Sequence, residues 1–84
     1  MIVKIFWQEG CPHCPAAKGL GGDLEGKGTK VEYHNIKTVD GLAEAAFFNV
    51  LSTPSIVLAE DNREIKSWKG KIPEAEELNG ILFK

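Results

Sequence analysis

Residues 2–18 read IVKIFWQEGCPHCPAAK, and both cysteines of the chain, Cys11 and Cys14, stand where this stretch changes character. Ile2 to Trp7 is a short apolar run rich in β-branched residues and broken only by Lys4, the pattern of a strand covered on both faces. Gly10 closes it as a turn. Pro12, whose fixed φ suits the first helical position, is expected to open a helix. Cys11 then falls at the helix N-cap and Cys14 about one turn further in. Ala17, Leu20 and Leu24 carry an apolar stripe to about Glu25. Interior glycines cost about 1 kcal/mol each against alanine, so Gly19, Gly21 and Gly22 make this helix short or frayed in expectation.

The rest of the chain repeats the alternation. Lys30 to Ile36 alternates through Val31 and Tyr33, as a half-buried strand does. Asp40 suits an N-cap, and Val39, Leu42, Ala43, Ala46, Phe47 and Val50 recur at helical spacing. The segment LSTPS, residues 51–55, ends that helix. Ser55 to Ala59 is a second short β-branched run. Asp61 and Asn62 form a turn, after which Arg63 to Lys69 returns as a hairpin partner, its Lys66 and Lys69 suiting an edge. Pro73 is expected to open a last helix. Glu74, Glu76 and Glu77 favour the positive end of its dipole, and Ala75, Leu78, Ile81 and Leu82 form its buried stripe. The order is βαβαββα. A right-handed βαβ unit followed by a hairpin gives an α/β architecture, a four-stranded mixed sheet with helices on both faces.

Composition narrows the function. At 84 residues the chain has material for one domain, residues 1–84. Ten Lys and Arg stand against twelve Asp and Glu, a net charge of −2, which argues against a nucleic-acid binder and gives no polybasic signal for a membrane surface. No apolar run approaches the roughly 18 residues of a membrane span. Met1 leads straight into the first strand without the marks of a secretory leader, so the cytoplasm is the expected location. A monomer is the expectation for this size. In a reducing compartment permanent disulfides are rare, and paired cysteines are more often catalytic or metal-binding.

Redox chemistry explains the cysteine spacing best. A thiolate is the attacking species in disulfide exchange, and the free N–H groups of a helix N-terminus favour one at Cys11. Cys14, less exposed, can resolve the mixed disulfide that results. A charged His13 imidazole beside Cys11 would further stabilise its thiolate, and with it the reduced form. Pro12 and His13 therefore tune the couple. A purely structural bridge across so small a loop would contribute only about 2 kcal/mol. A structural zinc site needs four ligands, and nothing in the sequence brings His13 and His34 together to complete the pair. His34, in a strand, reads as a surface or packing residue.

CPHC following VKIFW, joined to STPSIVL some forty residues later, resembles the thioredoxin–glutaredoxin superfamily, and the resemblance covers nearly the whole chain. It implies a thiol–disulfide oxidoreductase of that fold, with Cys11 attacking and Cys14 resolving. It also implies that Pro54 is cis and faces the cysteines, which frees the backbone of Thr53 to pair with an extended substrate. Gly70 resembles a family glycine that lets substrate approach. The implied partners are protein disulfides and a thioredoxin-reductase-type electron donor, and the implied redox group is the Cys11–Cys14 pair itself, with no other cofactor and no metal. Trp7, Phe47 and Phe48 read as core; Trp68 reads as contact residue or packing. Lys18, one turn after Cys14, matches a lysine common in glutaredoxins and equally a solvated helix face. Three departures mark the chain. Ile5 stands where thioredoxins carry a buried acid, Pro12-His13 replaces Gly-Pro, and WKGKIPEAEE, residues 68–77, lacks the Gly-Gly-x-Asp segment with which glutaredoxins grip glutathione. A glutathione-dependent glutaredoxin and a metal-binding module built on the CxxC pair are the competing readings.

Overall fold

A computed structural model describes residues 1–83. The elements run β1 (Ile2–Trp7), α1 (Cys14–Gly26), β2 (Lys30–Asn35), α2 (Val39–Phe47), β3 (Ser55–Glu60), β4 (Arg63–Lys69) and α3 (Ala75–Leu82). The sheet order is β2-β1-β3-β4. β1 pairs parallel to β2, with Ile5 opposite Tyr33, and antiparallel to β3, with Ile5 opposite Ile56. β4 closes the edge antiparallel to β3. The mixed four-stranded sheet expected from the sequence is the one observed.

Strand alternation divides the core in two. Val3 and Ile5 of β1, with Ile56 and Leu58 of β3, pack against Ala17 and Leu24 of α1 and Leu78 of α3. The intervening Phe6, Val57 and Ala59 pack against Ala45 and Phe48 of α2 and its exit, and Val50 beyond it. One face of the sheet therefore carries α1 and α3, the other α2. Trp68 on β4 belongs to the first cluster, and its indole N–H donates to Glu77 of α3 at 3.1 Å, which settles its role as packing.

Lys4 faces the α2 side and is only 6% exposed. Its ammonium donates to Glu32 at 2.8 Å and to Glu44 at 3.2 Å. Burial pulls the Lys4 pKa down, but the two carboxylates outweigh it and leave the group above its ordinary value. Glu32 also meets His34 at 3.0 Å, and the His34 ring stacks on Phe6.

All three helices differ in detail from the sequence expectation. α1 is not short: it runs 13 residues despite its glycines. Gly21 explains part of this, because a Cβ there would stand 2.5 Å from the Tyr33 hydroxyl and 2.6 Å from Ile5 Cδ1, so the missing side chain lets the helix lie against the sheet. α2 is capped by Thr38, whose hydroxyl accepts from Gly41 N–H at 3.0 Å, and not by Asp40. Its buried face is Gly41, Ala45 and Phe48; Val39, Leu42, Ala43, Ala46 and Phe47 point outward, with Val39 86% and Phe47 66% exposed. Gly41 sets that rotation, since a Cβ there would overlap the Asn35 carbonyl, and only a glycine allows this contact. α3 begins at Ala75 after an N-cap Glu74, so Pro73 precedes the helix, and Ala75 is exposed while Leu78 is fully buried.

Candidate active site

β1 delivers the chain from the middle of the sheet to Gln8, Glu9 and Gly10. Gly10 has φ +78°, a left-handed conformation that favours glycine. Cys11 and Cys14 follow, joined as a disulfide with Cα atoms 5.4 Å apart. Cys11 is partly exposed; Cys14 is 3% exposed, packed at the start of α1.

The helix does not start where the sequence suggests. Its N-cap is His13 and its first residue Cys14; Cys11 to Cys14 is a turn, closed by the Cys14 N–H donating to the Cys11 carbonyl at 3.3 Å. Cys11 is thus not the N-cap. Pro15 supplies the reason. With the cap at Cys11, Pro15 would be the fourth helical residue, where it has no N–H to give the Cys11 carbonyl and its ring would crowd that oxygen. With the cap at His13, Pro15 falls in the first turn, where no donor is required. The second proline of CPHCP is a signal the first obscures.

Two clefts flank the Pro12-His13 ridge. One, of about 350 Å³, is lined by Trp7, Glu9, Cys11, Cys14, Pro15 and Lys18 among others. Trp7 is therefore a wall of the cysteine cleft and not core, and the Lys18 ammonium lies 3.3 Å from the centre of its ring. Lys18 is on an exposed helix face, as one of its two readings has it, and its ammonium also covers the Trp7 ring. The second cleft, of about 330 Å³, brings together His13, Pro54, Gly70, Lys71 and Ile72. Three segments distant in sequence, at His13, Pro54 and Gly70–Ile72, thus meet beside the disulfide.

The Thr53–Pro54 peptide bond is cis, as the resemblance implies. Its loop is tied down at both ends. Gln8 Nε2 donates to Thr53 Oγ1 at 2.9 Å, which links it to the loop before Cys11. Ser55, fully buried, donates to the Ser52 carbonyl at 2.7 Å and accepts the Gly70 N–H at 3.1 Å. Gly70 itself has φ +77°. Gln8, Ser55 and Lys71 do not stand out in the sequence; the polar neighbours of Thr53-Pro54 were the available hint for Ser55.

The electrostatics of the site are spare. Ile5, in the place of the family acid, is fully buried, and the one charged residue of β1, Lys4, faces the α2 side of the sheet. His34 lies on that side too, against Phe6, while His13 lines the cleft with Pro54. Among the described residues no three His, Cys, Asp or Glu side chains gather in a set that could hold a metal ion, and no helix is long and apolar enough to cross a membrane.

The family model described as "Thioredoxin domain" matches residues 1–83. No curated protein matches the chain significantly in sequence. Among solved structures, thioredoxin 1 of the thermophilic eubacterium Thermosipho africanus is similar with a TM-score of 0.69 and 17% identity, over 98% of this chain and 91% of that one. The germline-specific thioredoxin Deadhead of Drosophila melanogaster gives 0.75 and 21%, over 96% and 76%. Thioredoxin-2 of a malaria parasite, described as a component of its protein secretion machinery, gives 0.74 and 20%, over 96% and 79%. At such identities the likeness is one of fold.

Proposed function

The chain belongs to the thioredoxin-domain family, and on that premise we propose that it is a thiol–disulfide oxidoreductase that reduces protein disulfides through Cys11 and Cys14. The observation that carries this reading is the asymmetry of the pair. Cys11 is accessible at the rim of a cleft, while Cys14 is 3% exposed and within bonding reach behind it.

In the reduced protein the Cys11 thiolate attacks one sulfur of a substrate disulfide. A Cys11–substrate bond forms, the substrate S–S bond breaks, and the first substrate thiolate leaves and takes up a proton from solvent. Cys14, as thiolate, then attacks Cys11 Sγ. The Cys11–Cys14 bond forms and the second substrate thiolate departs, so two electrons have passed from the protein to the substrate. Burial suits Cys14 to this step, since it meets only a disulfide already delivered to Cys11. With Ile5 apolar, the Cys14 proton leaves to water or to a group in the cleft. Cis Pro54 shapes the groove, the Thr53 backbone pairs with an extended substrate, and Gly70 admits it closely. Pro12 and His13, exposed between the sulfurs, set the potential. A thioredoxin-reductase-type donor restores the dithiol, and the reading places a monomer in the cytoplasm with no redox group beyond the two sulfurs.

The test is a pair of variants assayed with a protein disulfide. With dithiothreitol as electron donor, Cys11→Ser reduces the substrate no faster than dithiothreitol alone; Cys14→Ser, reduced beforehand and mixed with the substrate without dithiothreitol, accumulates a mixed disulfide visible by intact mass. Acceleration over dithiothreitol alone that survives Cys11→Ser overturns the reading. Titration in glutathione buffers separates the subclasses: an internal Cys11–Cys14 disulfide supports the thioredoxin-like reading, and a dominant single glutathione adduct supports a glutaredoxin.

A further inference from the structure

The two clefts beside the disulfide differ in charge. The cleft that holds both sulfurs has one acid and one base, Glu9 and Lys18, among its walls. The cleft on the other side of His13 has Lys71 and the His13 imidazole and no carboxylate; its remaining walls, Pro54, Gly70 and Ile72, are uncharged. Lys71 is exposed and takes part in none of the ion pairs among the described residues. The acid that feels its charge, Glu77, is engaged elsewhere, by Lys66 at 3.2 Å and by the Trp68 indole N–H at 3.1 Å. An ammonium without a partner, an imidazole N–H and two apolar walls describe a pocket for a carboxylate on a short methylene stem. Its volume of about 330 Å³ suits a side chain and not a large ligand.

We infer that this cleft is a specificity pocket, and that the preferred substrates are protein disulfides with an Asp or Glu next to the attacked cysteine. The inference rests on the oxidoreductase reading above. A substrate whose sulfur lies against Cys11 and whose backbone lies against Thr53 carries its neighbouring side chain over His13 toward Pro54, where Lys71 waits. The net charge of −2 gives the chain no general attraction for acidic partners, so the preference arises in the pocket and not in long-range steering.

The test uses disulfide-linked peptides with blocked termini, so that side chains supply the only carboxylates. Glu, Gln or Lys is placed one or two residues before or after the cysteine, and kcat/KM is measured for the wild type, Lys71→Gln and Lys71→Glu. At one of the four positions the wild type prefers Glu over Gln by about fivefold, the upper range for an exposed ion pair. Lys71→Gln removes that preference, Lys71→Glu inverts it toward Lys, and 1 M salt erases it. Equal kcat/KM for Glu and Gln at all four positions overturns the inference, as does a preference that survives both variants. Bis(2-hydroxyethyl) disulfide, which has no charge, reports separately on the redox reading. A wild type that reduces it without an acid preference defeats the specificity alone; a wild type that reduces no disulfide defeats the oxidoreductase reading and this inference with it.

Discussion

The fully buried Ser55 hydroxyl accepts the backbone N–H of Gly70 at 3.1 Å, and so fastens the turn after β4 to the strand that follows cis Pro54. Because the same hydroxyl donates to the Ser52 carbonyl at 2.7 Å, one side chain holds both loops of the Pro54 cleft.

Ser55→Ala leaves both backbone groups without their partner. Gly70 and Ser52 are exposed, so water replaces part of the loss, and the expected cost is about 1 kcal/mol of stability in a urea titration. The same variant also raises KM for a peptide disulfide, because Pro54 and Gly70 lose their fixed spacing. A variant of unchanged KM would show that the hydroxyl serves stability alone.

The glycines divide into two groups with opposite expected behaviour. At Gly19 and Gly22 an added Cβ meets open space within α1, so alanine stabilises the helix by about 1 kcal/mol at each. At Gly21 the Cβ runs into the Tyr33 hydroxyl and Ile5 Cδ1, and at Gly41 into the Asn35 carbonyl. Tyr33 can swing aside, but a backbone carbonyl cannot. Gly21→Ala should therefore lose about 1 kcal/mol and Gly41→Ala nearer 3 kcal/mol, the range for overpacked sites. Thermal melts of the four single variants check the order; a stabilised Gly41→Ala would contradict the packing described.

Periodicity made most of the architecture legible. The short β-branched runs Ile2–Trp7 and Ser55–Ala59, the Asp61-Asn62 turn and the CPHC-to-Thr-Pro pairing gave the element order and the sheet. What sequence spacing could not supply was rotation about each helix axis. In α2 two stripes have helical spacing, Val39-Leu42-Ala46 and Gly41-Ala45-Phe48, and the more apolar of them faces outward. The choice falls to a backbone contact at Gly41 that no hydropathy pattern encodes. Phe47 and Phe48, adjacent and chemically identical, end on opposite sides of that decision, at 66% and 5% exposure. Likewise the site's outer walls escaped notice. Lys71 and Gln8 acquire a role only through what the fold sets beside them, whereas Cys11, Cys14 and Pro54 carry theirs in the motif.

The Lys4–Glu32 pair predicts the shape of the acid limb. The hydrogen bond from Lys4 holds Glu32 below its ordinary 4.5 against the opposing effect of burial, and His34 adds to the lowering. A carboxylate depressed in the folded state contributes stability above its unfolded value, and that contribution is lost as pH falls through the folded value. Lys4, raised above 10.5, contributes fully below that pH and loses its share only as pH rises beyond it. Glu32 is a third exposed, so solvent screening holds the effect to about 0.5 kcal/mol. The stability difference between the wild type and Glu32→Gln should be full near pH 8 and shrink progressively as pH falls below 4.5. Urea titrations across that range measure it; a difference that does not shrink on acidification would assign the loss to packing.

The reduced cysteines should differ sharply in reactivity. Cys11 is partly exposed at the cleft, whereas Cys14 at 3% exposure has almost no surface to offer a reagent. Alkylation by iodoacetamide at neutral pH, followed by peptide mass mapping, is expected to label Cys11 about tenfold faster than Cys14, since rate follows both thiolate character and access. Lys18 enters here, because its ammonium shares the cleft with both sulfurs and lies over the Trp7 ring. Lys18→Met removes the positive charge while keeping a stem of similar length to cover Trp7. The labelling of Cys11 should then slow by a few fold at neutral pH and recover as pH rises and the thiol ionises unaided. A rate that is unchanged in Lys18→Met at every pH would mean that the ammonium's field does not reach the sulfur, and that Lys18 serves only to pack Trp7.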